Sequence, residues 1–219
     1  MNQLLFLDLD GPLLDVSAKY HRVYADILEE AGHNSLSLKD YWRAKQAKVP
    51  ELEILRRTGA EGLFDTYRPL RKERIETDRY LALDRLQPGA LAVLDMLRER
   101  FGLVLVTLRS SRVQLEKELA GLGLQERLDL VLSSGLETTP RWRIKHDMIL
   151  ERFGSSAASA AAQVGDTETD ILAAKALGIF AIGVLSGIRS ETILREAGPD
   201  RLIDGITGLP EALGDRFKP

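Results

Sequence analysis

Residues 4–15 read LLFLDLDGPLLD, an apolar run that ends abruptly in two carboxylates. Four consecutive large apolar residues, Leu4 to Leu7, are typical of a short strand covered on both faces. Side chains two positions apart in an extended backbone point to the same side, so Asp8 and Asp10 would converge at the carboxyl end of this strand. Neighbouring carboxylates repel each other unless a metal ion or a proton intervenes. Because ligands of open α/β sheets bind at this end, the pair marks a candidate site.

The same stretch also fits a polar turn without any function. Aspartate and glycine are common turn residues, and D-x-D-G patterns occur in calcium-binding loops as well. Gly11 lets the backbone turn sharply in either case, because glycine has no Cβ atom. The stretch alone therefore leaves a structural turn and a functional site open, and the rest of the chain has to separate them.

The composition is that of an ordinary globular protein. The chain has 219 residues, of which 44% are hydrophobic and 29% are charged, enough to bury a sizeable core. The absence of cysteine excludes disulfides, thiolate metal sites and cysteine nucleophiles. A net charge of −3 gives no general attraction to nucleic acid. The N-terminus lacks a basic leader, and no apolar run is long enough to span a bilayer. We therefore expect a cytoplasmic protein with neither nucleic-acid nor membrane partners.

The pattern changes twice along the chain. After Asp15 the strand-like runs disappear and charged amphipathic helices follow, whereas beyond Pro88-Gly89 strands and helices alternate. Such alternation predicts an α/β fold with a doubly wound parallel sheet. We assign residues 1–14 and 84–219 to this core and residues 15–83 to a small helical domain inserted after the first strand. The predicted helices are 16–31, 38–47, 51–58, 61–83, 90–100, 113–122, 144–153, 171–177 and 190–197; the predicted strands are 4–7, 103–106, 128–132, 160–164, 179–185 and 202–203, with residues 155–162 as a loop that leads into a strand.

Two polar signals in the second half lie where ligand-facing residues are expected. Thr107 ends a predicted strand, and its hydroxyl together with the amides of Leu108 and Arg109 could hold an anion. Alternatively, Thr107 or a nearby serine caps the helix that starts at Val113. Lys145 opens another helix, although a lone lysine is usually a solvated surface charge.

The sequence GDTETD at residues 165–170 is the strongest signal after the opening stretch. A helix cap formed by Thr167 and Asp170 would explain Asp170, but not a second carboxylate, Asp166, at the end of a buried strand. If the strands are adjacent, these two aspartates join the Asp8/Asp10 pair in an oxygen-rich cluster. Such clusters suit Mg²⁺, and a nearby lysine would offset the remaining charge.

The four motifs, in this order, resemble the haloacid dehalogenase superfamily in its phosphoglycolate-phosphatase-like branch. Asp8-Leu9-Asp10-Gly11 matches the nucleophile motif, Thr107 the Ser/Thr motif, Lys145 the lysine, and Gly165-Asp166 with Asp170 the last motif. The resemblance covers nearly the whole chain. It implies a Rossmann-like core with a small, mobile helical cap.

The resemblance also implies a covalent mechanism. Asp8 would attack phosphorus and carry an aspartyl phosphate, which water then hydrolyses. Asp10 would protonate the leaving alcohol and afterwards deprotonate the water. Thr107, Leu108 and Arg109 would bind the phosphoryl oxygens of a small phosphorylated metabolite.

Metal binding is implied in the same way. Asp8, the backbone carbonyl of Asp10, and Asp166 would hold Mg²⁺, with Asp170 acting through water or Lys145. The metal and the lysine would neutralise the transferring group.

Substrate choice and competing functions stay open at this stage. Arg43 and Lys45 of the cap are candidate substrate-binding residues, although a charge run is usually a solvated helix face. A phosphosugar mutase would keep all four motifs, and a non-catalytic binding module is a further alternative. A dehalogenase has no need of a metal, so the Asp166/Asp170 pair argues against it. We expect a monomer or a homodimer.

Overall fold

The computed structural model describes residues 3–135 and 140–214. Its strands are β1 (Gln3–Leu7), β2 (Leu14–Asp15), β3 (Arg85–Leu86), β4 (Phe101–Thr107), β5 (Leu130–Ser133), β6 (Ala162–Gly165), β7 (Ala181–Val184) and β8 (Arg201–Ile203). Six of them form a parallel sheet in the order β5-β4-β1-β6-β7-β8. The first strand of the chain is thus central, with β4 on one side and β6 on the other.

Alternate side chains of β1 enter two separate hydrophobic clusters. Leu5 and Leu7 belong to one cluster and Phe6 to the other, and all three are fully buried. This alternation follows from the two-residue period of an extended chain. It confirms the expectation that the apolar run 4–7 is a strand covered on both faces.

Helices cover both faces of the sheet, as a doubly wound fold requires. One cluster includes apolar residues of the helices Ala90–Leu97, Arg112–Gly121 and Leu209–Leu213, and the other includes residues of the helices Arg141–Phe153 and Glu168–Leu177. The helices are α1 (Ser17–Glu30), α2 (Leu38–Gln46), α3 (Glu51–Arg56), α4 (Phe64–Arg74), α5 (Asp78–Leu81), α6 (Ala90–Leu97), α7 (Arg112–Gly121), α8 (Arg141–Phe153), α9 (Glu168–Leu177), α10 (Glu191–Ala197) and α11 (Leu209–Leu213). Among the described residues, no helix has the length and apolar character needed to cross a membrane.

The helices α1 to α5 lie between β2 and β3, and we call residues 17–81 the helical insert. They share a hydrophobic cluster of their own, in which the rings of Tyr24 and Tyr41 stack with centroids 4.6 Å apart. The chain enters and leaves the insert through β2 and β3, which pair antiparallel. The pairing of Leu14 with Leu86 holds the two connections side by side.

The structure differs from the predicted elements at a few places. The long predicted helix 61–83 is broken into a 3₁₀ turn at Glu61–Leu63, α4 and α5, because Thr77 has an extended backbone before α5. Residues Gly154–Ser159 form a 3₁₀ helix rather than a loop. The short β2/β3 pair and α11 were not predicted, since segments of two to five residues show no periodicity.

Candidate active site

Three adjacent strands bring polar residues to the same edge of the sheet. Asp8 follows β1, Thr107 is the last residue of β4, and Asp166 follows β6. The backbone N–H of Asp8 donates to the carbonyl of Val164 (2.9 Å), so the strand pairing continues up to the carboxylates. The carboxyl ends of parallel strands meet at one edge, and the predicted site lies there.

Asp8, Asp166 and Asp170 form a buried cluster in which one carboxylate oxygen from each residue lies within 4.8 Å of the other two. Glycines make room for it. A Cβ atom added at Gly187 would lie 1.9 Å from Oδ2 of Asp166, and one added at Gly165 would lie 2.0 Å from Cγ of Asp170. The backbone therefore packs directly against both carboxylates.

Lys145 is buried inside this cluster. Its Nζ lies 2.8 Å from Oδ1 of Asp8 and 2.6 Å from Oδ1 of Asp170. Burial would lower the pKa of Lys145, but Asp170 and Asp8 outweigh it and raise the pKa above its ordinary value. The lysine is thus a charged core residue and not a solvated surface charge.

One lysine does not neutralise three carboxylates. Burial raises the pKa of Asp8 to about 7, although Lys145 opposes the shift. Burial and the neighbouring charges of Asp8 and Asp170 raise the pKa of Asp166 well above its ordinary value. The carboxylates of this cluster carry negative charge that Lys145 does not balance. Carboxylate oxygens of this kind fit a divalent cation such as Mg²⁺.

Asp170 has a structural role as well as a place in the cluster. Its Oδ2 accepts from the hydroxyl of Thr167 (2.8 Å) and from the Thr167 amide (3.3 Å), which is the capping box at the start of α9. Its Oδ1 accepts from Lys145. Asp170 therefore caps α9 and also lies in the carboxylate cluster, while its role toward a metal ion stays a prediction.

Arg109 lies against Asp10. The guanidinium donates from Nε to Oδ2 (3.0 Å) and from Nη2 to Oδ1 (2.6 Å), a bidentate pair. Burial would raise the pKa of Asp10, but Arg109 and Lys19 outweigh it and hold the pKa at about 2. Arg109, the predicted phosphoryl-binding residue, thus forms an ion pair with Asp10, the predicted acid/base residue.

This pair continues into a buried network that sequence patterns did not predict. Arg109 also contacts Asp84 (3.0 Å) and Glu118 (3.4 Å), and Lys19 of α1 pairs with Asp84 (2.5 Å). One sequence feature could have pointed to this network. Lys19 lies four residues before Val23, which places it on the buried face of α1.

Two carboxyl groups of this network, those of Asp84 and Glu118, have buried oxygens without a partner among the described residues. Oδ1 of Asp84 and both oxygens of Glu118 are buried without a hydrogen-bond partner in the part of the chain that the structure describes. Burial raises the pKa of Glu118 to about 8 against the influence of Arg109, and the neighbouring charge of Asp84 raises it further. We therefore expect Glu118 to keep a proton in the folded protein, where it would donate a hydrogen bond to a buried carboxylate oxygen.

Thr107 is buried, and its hydroxyl accepts from the amide of Arg109 (3.4 Å). It does not cap α7, because Ser111 accepts from the amide of Gln114 there. Half-buried Leu108 lies directly after it. The helical insert reaches this loop, since the carboxylate of Glu76 accepts from the Ser111 amide (2.6 Å).

The two candidate residues of the insert have different surroundings. Arg43 is exposed, in a groove of about 460 Å³ that Lys39 and Trp42 also line. Lys45 is largely buried and lies beside Glu51. Arg43 and Lys45 therefore differ in their exposure to solvent, although the charge pattern had grouped them.

The chain matches one known protein family over most of its length. The model of the haloacid dehalogenase-like hydrolases matches residues 3–178. The chain belongs to this family. This match confirms the resemblance to that superfamily.

Two proteins of similar sequence are phosphatases by name. The probable phosphatase IndB of Dickeya dadantii is 28% identical over 97% of this chain and 95% of that protein. A phosphoglycolate phosphatase of Rhodobacter capsulatus is 27% identical over 86% of this chain and 87% of that protein. The chain is accordingly an enzyme, a hydrolase of the phosphatase type.

Solved structures show the same fold. A haloacid dehalogenase-like hydrolase from Streptococcus pneumoniae is 19% identical, with a TM-score of 0.75 over 96% of this chain and 98% of that one. A proposed β-phosphoglucomutase from Thermotoga maritima is 22% identical, with a TM-score of 0.70 over 97% and 99% of the two chains. The α/β core with its parallel sheet is therefore the fold of this family.

The raised pKa of Glu118 makes stability depend on pH. Folded Glu118 keeps its proton up to about pH 8, whereas the unfolded side chain releases it near its ordinary value of 4.5. Its contribution is therefore complete at low pH and is lost as the pH rises through this window. We expect Glu118→Gln, which does not titrate, to show a smaller fall in the free energy of unfolding between about pH 5 and pH 8.

Glu116→Gln is the matched control, because Glu116 lies on the same helix but is exposed. Denaturant unfolding at several pH values should show the same change in the free energy of unfolding with pH for the parent and for this control. If the free energy of unfolding of Glu118→Gln changes with pH as much as that of the parent, the predicted protonation of Glu118 is wrong.

Gly187 tests the packing around Asp166. Gly187→Ala places a Cβ atom 1.9 Å from a buried carboxylate oxygen, so we expect a loss of about 1–3 kcal/mol of unfolding free energy. Gly205→Ala is the control, because nothing lies within 4 Å of its Cβ position. Equal stability of the two variants in denaturant titrations would contradict the described packing.

Proposed function

We propose that this enzyme is a Mg²⁺-dependent phosphatase that hydrolyses a small phosphomonoester through an aspartyl phosphate on Asp8. The observation that supports this most strongly is the contact of Lys145 with Asp8 inside a buried three-carboxylate cluster. A helix cap or a polar turn does not require a buried lysine or a carboxylate without a partner charge. Family membership and phosphatase relatives agree with the proposal.

The residues present fit the metal. Asp8 and Asp166, with the backbone carbonyl of Asp10, would hold Mg²⁺. Asp170 already uses both of its oxygens, one on Lys145 and one on Thr167, so its influence on the metal would be indirect. Bound Mg²⁺ supplies neutralisation of the negative charge on the phosphoryl oxygens.

Asp8 performs the first displacement. Lys145 and the Leu9 amide (2.8 Å) both engage its Oδ1, which fixes the orientation of the carboxylate. A carboxylate oxygen of Asp8 bonds to phosphorus as the ester P–O bond breaks, and Asp10 gives a proton to the leaving oxygen. Thr107 and the amides after it bind the phosphoryl oxygens.

Hydrolysis of the intermediate uses Asp10 as the base. Water attacks phosphorus, Asp10 accepts the proton, and Asp8 is released as a carboxylate. The low pKa of Asp10, which Arg109 and Lys19 cause against burial, favours the ionised form needed here. Leaving-group protonation needs the protonated form, so the contact with Arg109 has to weaken in the first step.

Residues 15–83 act as a cap in this proposal. They contribute no group that takes part in the chemistry, and β2 and β3 form the two connections about which they would move. Closure would exclude water and bring insert side chains to the leaving group. Contacts such as that of Glu76 with Ser111 would hold the closed position.

Asp8→Asn tests the nucleophile. The amide keeps the shape of the side chain but lacks the nucleophilic charge, so turnover of an aryl phosphate should fall by roughly 10³-fold or more with an unchanged circular dichroism spectrum. Asp204→Asn, at an exposed position away from the site, serves as control. Near-normal rates, after mass spectrometry has excluded deamidation, would rule out the covalent mechanism.

Asp166→Asn tests the metal site. Loss of one charged ligand should raise the Mg²⁺ concentration for half-maximal activity by at least about tenfold, and excess Mg²⁺ should restore part of the rate. The comparison is with Asp147→Asn, whose side chain is 71% exposed. Overlapping Mg²⁺ titrations of the Asp166 variant and the parent would show that Asp166 is not a ligand.

Product analysis separates the hydrolase from the mutase. With a hexose phosphate as substrate, the hydrolase releases inorganic phosphate and the free sugar, whereas a mutase returns an isomeric sugar phosphate. We expect stoichiometric release of inorganic phosphate. Conversion to an isomer without phosphate release would contradict the proposal.

A further inference from the structure

The contact between Arg109 and Asp10 engages both oxygens of the carboxylate. Nε of the guanidinium donates to Oδ2 of Asp10 (3.0 Å), and Nη2 donates to Oδ1 (2.6 Å). A planar guanidinium bound in this way fixes the plane of the carboxylate as well as its position. Arg109, which is buried, therefore determines where the two oxygens of Asp10 lie.

Arg109 is anchored on its other side by Asp84. Its Nη2 also donates to Oδ2 of Asp84 (3.0 Å), and Lys19 donates to the same oxygen (2.5 Å). The side chain of Asp84 is fully buried, and that of Lys19 is 1% exposed. The position of the guanidinium is thus set by the insert and its connection as well as by Asp10.

Unused acceptors lie next to the same guanidinium. Nη1 of Arg109 is 3.4 Å from Oε2 of Glu118. Both oxygens of Glu118 and Oδ1 of Asp84 are buried without a hydrogen-bond partner among residues 3–135 and 140–214. A proton on Glu118 would join two of these three atoms and leave the third as an acceptor. Arg109 therefore has another oxygen to donate to when it releases one of Asp10.

The two steps of the proposed reaction make different demands on Asp10. In hydrolysis of the aspartyl phosphate, the water oxygen bonds to phosphorus, the bond from phosphorus to the Asp8 oxygen breaks, and the water proton goes to Asp10. Asp10 has to be a carboxylate that faces the water here. A guanidinium has donors only, so it binds this form through both oxygens. Once Asp10 carries the proton, its hydroxyl oxygen is a poor acceptor, and one contact with Arg109 has to be released.

We propose that Arg109 is a positioning residue for the second step, in which it orients the carboxylate of Asp10 toward the attacking water. Asp84 and Glu118 accept from the guanidinium while Asp10 carries the proton. The inference rests on the proposed phosphatase function and gives the Arg109 side chain a role other than binding the phosphoryl oxygens. Arg109 acts through Asp10 and touches no reacting atom.

Separate measurement of the two steps tests this role. With 2,4-dinitrophenyl phosphate as substrate, release of dinitrophenolate reports formation of the aspartyl phosphate, and release of inorganic phosphate reports its hydrolysis. Dinitrophenolate leaves without a proton, so the first step does not need Asp10 as an acid. Single turnovers with the enzyme in excess over the substrate, at saturating Mg²⁺, give both rate constants for each variant.

Arg109→Lys should slow the second step alone. The lysine keeps a positive charge beside Asp84 but cannot bind both oxygens of Asp10 in one plane. We expect release of inorganic phosphate to slow by about 10- to 100-fold, with less than about threefold change in release of dinitrophenolate. Acid quench should then find the phosphoryl group on Asp8 in a larger share of the variant than of the parent.

Arg74→Lys is the matched control. Arg74 binds both oxygens of Glu30 at 2.8 Å each, a contact of the same geometry within the insert, and the control should match the parent in both steps. Asp84→Asn leaves Arg109 in place but removes the charge that anchors it. It should slow release of inorganic phosphate by about 3- to 10-fold, and it supplies the test should Arg109→Lys not fold.

Several outcomes would overturn the inference. Equal slowing of both steps would mean that Arg109 only maintains the fold. Slower release of dinitrophenolate with unchanged hydrolysis of the intermediate would mean that Arg109 binds the phosphoryl group. Parent rates for both steps in Arg109→Lys would show that Asp10 does not need the guanidinium. No release of dinitrophenolate by the parent would instead overturn the proposed phosphatase function itself.

Discussion

The contact of Lys145 with Asp8 and Asp170 is the interaction on which the active site depends. Its side chain is 3% exposed, and its Nζ lies 2.8 Å and 2.6 Å from the two carboxylates. Without it, three aspartates at the ends of β1 and β6 and the start of α9 would be buried with like charge only. Breaking a buried charge pair leaves the remaining charge uncompensated, which is strongly unfavourable. The strand order and the glycines around Asp166 and Asp170 all serve to bring these groups together.

A second charged network connects this site to the helical insert. Arg109 holds Asp10 and also contacts Asp84, which pairs with Lys19 of α1. Asp84 immediately precedes β3, one of the two connections of the insert. A change in the position of the insert would therefore act on Arg109, which pairs with the proposed acid/base residue Asp10. The chemistry and the placement of the insert are linked by ion pairs.

The sequence was sufficient to predict the structural features that depend on a local pattern of residues. The apolar run before Asp8, the alternation after Pro88-Gly89 and the GDTETD stretch specify strands, helices and the edge where carboxylates meet, because these features have a period or a fixed spacing. The cluster of Asp8, Asp166 and Asp170 follows from adjacent strands.

The remaining parts depend on tertiary contacts between distant residues. Asp84 lies in a polar connection without any pattern, and Glu118 is one of several charged residues on α7, so neither could be recognised as a partner of Arg109. The unequal surroundings of Arg43 and Lys45 arise from how α2 packs against the core, which charge runs do not encode.

The most direct test of the covalent mechanism is rapid acid quench of the enzyme during turnover, followed by peptide mass spectrometry. A phosphatase that uses Asp8 as nucleophile should show the mass of one phosphoryl group on the peptide containing Asp8, and fragmentation should place it on that residue. The signal should be absent from Asp8→Asn. Continued release of inorganic phosphate without any phosphoryl group on Asp8, or with one on another residue, would contradict the mechanism.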